Sequence, residues 1–280
     1  MPSFVSIQVI DTPFVSEYLF DSERENSVFL VSSFEVSNLL NVPDVQMVCC
    51  IDDGRILLAN CLFPHLYLCK NDGSEVANIY LSESPIDMAC YDLNRALVIV
   101  MNKGVNLINL TTKTCEEFII KDNLCSICSV NSVIWVGSLS KELLQINIEG
   151  EILQTISTYF PLPKICVNQI DGEVYCLSPG PVEISDHKSD VYVIFPAGNT
   201  KFLCSISKEY SDIAVDGDGE VFVIGGKSII KTSNYKREQK NIIIEVNGFE
   251  NPLRVRYNNK TEDTVILNNG GKTVDVYKLC

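Results

Sequence analysis

The stretch VQMVCCIDDGRILLA, residues 45–59, is two apolar runs split by an Asp-Asp-Gly corner. Gly54 tolerates the positive φ that a tight reversal demands, and the flanking β-branched and large apolar residues suit strands, so the stretch reads as a β-hairpin. The same unit returns along the chain. Turn pairs follow at Leu93-Asn94, Asn131-Ser132, Asp171-Gly172, Asp218-Gly219 and Glu262-Asp263, and from Gly54 onward the second members step by 40, 38, 40, 47 and 44 residues. A steady period near forty residues marks a repeat architecture.

Each corner has an apolar run on either side. Val45–Ile51, Ile86–Tyr91, Cys125–Val130, Ile165–Ile170, Ile213–Val215 and Leu253–Tyr257 precede the turns; Ile56–Ala59, Ala96–Met101, Val133–Val136, Val174–Leu177, Val221–Ile224 and Thr264–Leu267 follow them. A third run comes next, as in Leu66–Leu68, Val105–Ile108, Leu143–Ile146 and Val274–Tyr277, and a fourth after a polar turn, as in Glu75–Leu81 and Glu151–Ile156. Four short antiparallel strands per repeat build a propeller blade. No stretch beyond residue 27 carries the i, i+3, i+4, i+7 stripe of a helix. The expected fold is therefore all-β, a six-bladed β-propeller of four-stranded antiparallel blades. The sixth repeat stops after three strands, and Val28–Ser33 is a strand without a partner of its own. Pairing the two closes the ring and removes an open sheet edge, which makes residues 28–280 the propeller and residues 1–27 an N-terminal extension or linker.

Three segments, Asp52–Asn60, Ser211–Val223 and Val265–Tyr277, resemble NHL repeats, as found in the six-bladed propellers at the carboxyl end of invertebrate tripartite-motif proteins. The likeness covers about residues 28–280 and is carried by the first, fifth and sixth repeats. It implies a non-catalytic, cytoplasmic protein-binding scaffold, similar to the substrate-recruiting end of a tripartite-motif ubiquitin ligase. A RING or B-box would need Cys and His at zinc-binding spacing, which this sequence does not have. RNA binding is the alternative that the same resemblance allows, and a metal-dependent lactonase-type hydrolase is the third.

The formal net charge of −14 gives a surface that repels phosphate on average. The basic residues are scattered, apart from a small group at Lys227, Lys231, Lys236, Arg237 and Lys240. RNA is thus disfavoured and a protein partner expected. The first 26 residues lack the basic start, apolar run and cleavage site of a secretory signal, and no stretch is long and apolar enough to span a membrane. In a reducing compartment the 12 cysteines are free thiols packed as small hydrophobes.

A catalytic channel would gather its ligands on the innermost strands. Seven residues before each turn stand Met47, Asp87, Cys125, Ile165, Asp212 and Arg256. That mixture is no oxygen shell for calcium or magnesium, so no metal, no cofactor and no enzyme activity are expected. Asp216-Gly-Asp-Gly-Glu220 reads as a hairpin turn, and Cys125-Ser-Ile-Cys128 has no second pair to complete a zinc site. Only His65 and His187 could act as bases near neutral pH, and neither adjoins a nucleophile motif. Trp135 is expected to pack between blades. The partner-binding candidates lie on the loops between second and third strands and on the blade junctions: Phe63, His65, Asn102, Lys103, Lys141, Tyr159, Phe160, Tyr210 and Arg254. Aromatic and basic side chains are the usual anchors of protein interfaces.

Overall fold

The structure is a computed structural model that describes residues 6–9, 28–38, 45–119, 121–179, 188–207, 210–225, 228–233, 240–245 and 250–279. Six antiparallel sheets succeed one another along the chain, blade 1 at 47–80, blade 2 at 85–119, blade 3 at 124–157, blade 4 at 164–207, blade 5 at 210–245 and blade 6 at 254–279. The first strands of the blades are Met47–Cys50, Pro85–Asp92, Leu124–Val130, Lys164–Val167, Tyr210–Val215 and Arg254–Asn258. Each touches the first strand of the next blade, and the sixth touches the first, so these six strands surround a central channel. The expected six-bladed propeller is the observed fold.

Ring closure follows the expected route. Val28–Glu35 pairs antiparallel with Thr273–Leu279 as the outermost strand of blade 6, from Val28 opposite Leu279 to Glu35 opposite Thr273. Two further bonds follow: the Val36 N–H to the Lys272 carbonyl at 2.8 Å continues the pair within blade 6, and the Val45 N–H, just before blade 1, to the Gly271 carbonyl at 2.9 Å fastens the joint to blade 1. One segment of the expected extension is also placed: Ser6–Val9 pairs with Lys240–Glu245 and gives blade 5 a fifth, outermost strand.

Burial explains why the strand signal is continuous in some runs and alternating in others. The second strands, such as Ile56–Ala59 and Val133–Ser138, lie between neighbouring blades and are buried almost throughout. The fourth strands face solvent on one side, and Ile152–Ser157 buries only Ile156 fully. Among the described residues the apolar core is correspondingly divided into six clusters, each lying between two successive blades: 1 and 2, 2 and 3, 3 and 4, 4 and 5, 5 and 6, and 6 and 1. Trp135 is buried in the cluster between blades 3 and 4, as its alternation predicts.

The turn signals fall in the hairpins between first and second strands, and the Asp and Asn residues there hold the corners. Asp53 accepts from the Arg55 N–H, Asp92 from Asn94, Asp171 from Glu173, and Asp216 from both Asp218 and Glu220. In blade 3 Asn131 and Ser132 both take positive φ, 50° and 65°, the backbone of a two-residue hairpin. Blade 4 differs from the sequence reading. Its first strand ends at Val167, and Ile170 stands exposed in a wider turn.

Candidate functional site

Strand direction gives the ring two distinct faces. First-to-second and third-to-fourth hairpins lie on one, the hairpin face; second-to-third loops and blade junctions lie on the other, the junction face. The functional candidates sort by this division.

Four charges cross the channel near its junction-face end, three of them buried and the fourth, Arg256, partly so. Asp87 of blade 2 and Asp212 of blade 5, on opposite sides of the ring, are each 1% exposed. Arg256 of blade 6 reaches both, with Nη1 donating to Asp212 Oδ2 at 2.6 Å and Nη2 to Asp87 Oδ1 at 3.2 Å. Each carboxylate also fastens its blade to the next: Asp87 Oδ2 accepts the Ile127 N–H at 3.1 Å, and Asp212 Oδ2 the Val255 N–H at 3.0 Å. Arg254 completes the group, its Nε donating to the Gln46 carbonyl of blade 1 at 3.0 Å. Blades 1, 2, 3, 5 and 6 are thereby tied through one ionic layer. The seven-back rule placed Asp87, Asp212 and Arg256 on the inner strands, but read them as unrelated.

Burial is the main force on Asp212, with the Asp87 charge adding to it and Arg256 opposing both, and its pKa is pushed up to about 6 from 3.8. A carboxyl raised by folding gives stability that is complete below about 3.8 and lost as pH rises through about 6. Unfolding midpoints of the wild-type chain should therefore gain from Asp212 on going from pH 7.5 to pH 5, and Asp212→Asn should flatten that slope. Equal slopes in urea titrations of the two proteins would refute the assignment.

Below this layer, toward the hairpin face, the channel holds a cavity of about 340 Å³. Arg256 is in its lining together with Cys49, Cys50, Cys90, Cys128 and Cys166, and Asp52, Asn131, Ser132, Asn259 and Lys260 stand toward its mouth. Burial pushes all five thiols up, Cys50 and Cys90 to about 12, so they stay protonated at neutral pH and pack as weakly polar groups. Among the described residues no three His, Cys, Asp or Glu side chains converge as a metal ion would require.

On the junction face, blades 1 to 3 each present large apolar side chains from the second-to-third loops: Leu62 and Phe63, Met101, and Leu139. Tyr159, on the junction from blade 3 to blade 4, is 90% exposed. Lys141 and Asn102 are exposed between them and hold positive φ, and Lys103 lies 3.7 Å from Glu117. His65 is half-buried against the edge of Tyr80, ring centroids 4.8 Å apart. The sequence reading thus brings Phe63, His65, Asn102, Lys103, Lys141 and Tyr159 to one face.

Two candidates are placed otherwise. Phe160 is no exposed anchor: it stacks on Tyr192 with centroids 3.9 Å apart and packs into the core between blades 3 and 4. Arg254 is only 8% exposed and belongs to the ionic layer, because the inner strand begins at this residue and turns its side chain into the channel. The Tyr210 side chain and His187 lie outside the described residues, as do Lys227, Lys236 and Arg237; Lys231 of the same basic group is paired with Glu220. Sequence reasoning passed over Leu62, Met101 and Leu139. Each is a single apolar residue in a polar loop, and only their recurrence at the same loop of three successive blades marks them.

No family model matches this chain, and no curated protein matches it in sequence. Solved structures do match in shape. A structural genomics protein of unknown function from Bacteroides thetaiotaomicron superposes with a TM-score of 0.69 at 12% identity, over 90% of this chain and 76% of that one. A streptogramin B lyase gives 0.61 at 12% identity, over 90% and 98%. The β-propeller domain of Cps50 (Swd1) from Myceliophteria thermophila gives 0.60 at 7% identity, over 84% of each chain. At these identities the likeness establishes the propeller fold. Among the described residues no helix is long and apolar enough to cross a membrane.

Proposed function

We propose that this chain is a non-catalytic protein-interaction scaffold that takes its partner on the junction face of blades 1 to 3, in the manner of the substrate-recruiting NHL propellers of tripartite-motif ubiquitin ligases. The observation that carries this reading is the apolar arc of Leu62, Phe63, Met101, Leu139 and Tyr159. Isolated exposed apolar residues are ordinary, but five large ones recurring on the junction-face loops of consecutive blades offer a partner several anchors on one face. Interface energy concentrates in a few such anchors, aromatic ones above all. The overall charge of −14 favours a protein over a nucleic acid, whose phosphates such a surface repels.

The test is affinity capture by the full chain from lysate with and without ribonuclease, followed by cross-linking mass spectrometry. A protein whose cross-links fall on blades 1 to 3, and whose recovery drops about tenfold with Phe63→Ser plus Tyr159→Ser, is the expected result. Recovery of RNA in place of such a protein, or cross-links confined to the hairpin face, would overturn the reading.

A further inference from the structure

Arg254 is the one member of the ionic layer whose hydrogen-bonding capacity is not used within it. Asp87 and Asp212 give their short contacts to Arg256 and to the Ile127 and Val255 N–H groups. Arg254 is left at longer range, its Nη1 3.8 Å from Asp212 Oδ1 and its Nη2 4.0 Å from Asp87 Oδ1. Its Nη1 is buried and has no hydrogen-bond partner. Burial accordingly pulls the Arg254 pKa down, against the pull of Asp87.

The position of this guanidinium decides what can reach it. Arg254 begins its strand at the junction face and bonds the backbone carbonyl of Gln46 just before the first strand of blade 1, and the Gln46 side-chain oxygen in turn accepts the Cys61 N–H of the adjoining loop at 2.9 Å. The hairpin-face cavity is lined by Arg256 and not by Arg254. Arg254 therefore floors the junction-face end of the channel, beside the loop that carries Leu62 and Phe63. An incomplete set of bonds on a desolvated guanidinium is satisfied best by a carboxylate, which is planar, anionic and accepts two parallel N–H bonds; a neutral carbonyl offers neither the charge nor the second oxygen.

We propose that Arg254 anchors a carboxylate of the bound partner, supplied by an Asp or Glu side chain or by a chain terminus, while the apolar residues flanking that carboxylate lie on the arc of blades 1 to 3. The inference rests on the junction-face reading and gives it a chemistry: the partner segment is apolar and carries one essential negative charge. The lysine at position 141 favours the same sign, and the acids Glu83, Asp122 and Glu250 at the junctions disfavour a second charge on the segment.

The experiment uses peptides selected on the full chain from a random library with free carboxyl termini. Each peptide is resynthesised with its terminus amidated, or with one Asp→Asn or Glu→Gln change, and titrated against the wild-type chain and against Arg254→Gln. The expected result is that one such change weakens binding to the wild type about tenfold or more and leaves binding to Arg254→Gln within about twofold; which change does so tells a side-chain carboxylate from a terminal one. Peptides that need Phe63 and Tyr159 but tolerate every loss of carboxylate would overturn the anchor and leave the scaffold face standing. Failure to select any peptide that needs Phe63 or Tyr159 would overturn both. Because the decisive change is made in the peptide and read on the wild-type chain, the result does not depend on how well Arg254→Gln folds.

Discussion

Arg256→Met is expected to lower the unfolding midpoint by roughly 10 °C, the largest effect of any single side chain in the channel. The substitution keeps an unbranched apolar stem but removes the guanidinium that compensates Asp87 and Asp212, both buried and on opposite blades. Breaking a buried ion pair from one side costs about 3–5 kcal/mol, since the remaining charge has lost water and partner alike, and a domain of this size loses about 2–4 °C per kcal/mol. The control separates charge from packing. Arg256→Met combined with Asp87→Asn and Asp212→Asn should recover much of the loss, because neutral amides can keep the bonds to the Ile127 and Val255 N–H groups only at a lower desolvation cost. A single variant within about 2 °C of wild type by differential scanning calorimetry would show that the carboxylates find their compensation elsewhere.

The second large effect is expected at the ring joint. Gly271 has a φ of +92°, and a Cβ there would stand 1.9 Å from the Val45 carbonyl oxygen. Gly54 has nearly the same backbone, φ +88°, but its Cβ would meet nothing closer than Thr261 Cγ2 at 3.9 Å. Gly54→Ala should thus cost the left-handed strain alone, about 1–2 kcal/mol. Gly271→Ala carries that strain and must also push away the Val45 backbone, whose N–H donates to the Gly271 carbonyl and joins blade 6 to blade 1. Its loss should exceed that of Gly54→Ala by about 2 kcal/mol or more, on the scale of overpacking in a closed site. Equal urea midpoints for the two variants would mean that the joint can shift without cost.

What could be read in the sequence was what is local. Hairpins depend on neighbours a few residues apart, so Asp53-Gly54, Asn131-Ser132 and Asp218-Gly219 announce themselves, and their spacing counts the blades. The closing strand was legible for a related reason: three strands at one end and a spare one at the other leave a single economical pairing. The ionic layer was legible only in part. Asp87, Asp212 and Arg256 could be placed on inner strands by their distance from the turns, but their contact spans three blades and some 170 residues of chain, and only the closed ring fixes it. Arg254 and Phe160 are placed off the surface loops because a residue at the edge of an apolar run can be loop or strand; the structure starts the strand at one and packs the other on Tyr192. In blade 4 the apolar Ile170 extended the run past the point where the turn begins.

The closing strand also settles how this molecule would bear load. Val28 lies opposite Leu279, so the chain enters and leaves the joint at the same end of an antiparallel pair. Tension applied through the two flanks would open that pair one hydrogen bond at a time, like a zip, instead of stretching all its bonds in parallel. A ring packed on successive inter-blade cores is thus fastened at its weakest mechanical geometry, and a pull applied at Val28 and Leu279 would release the seam before it tore a blade.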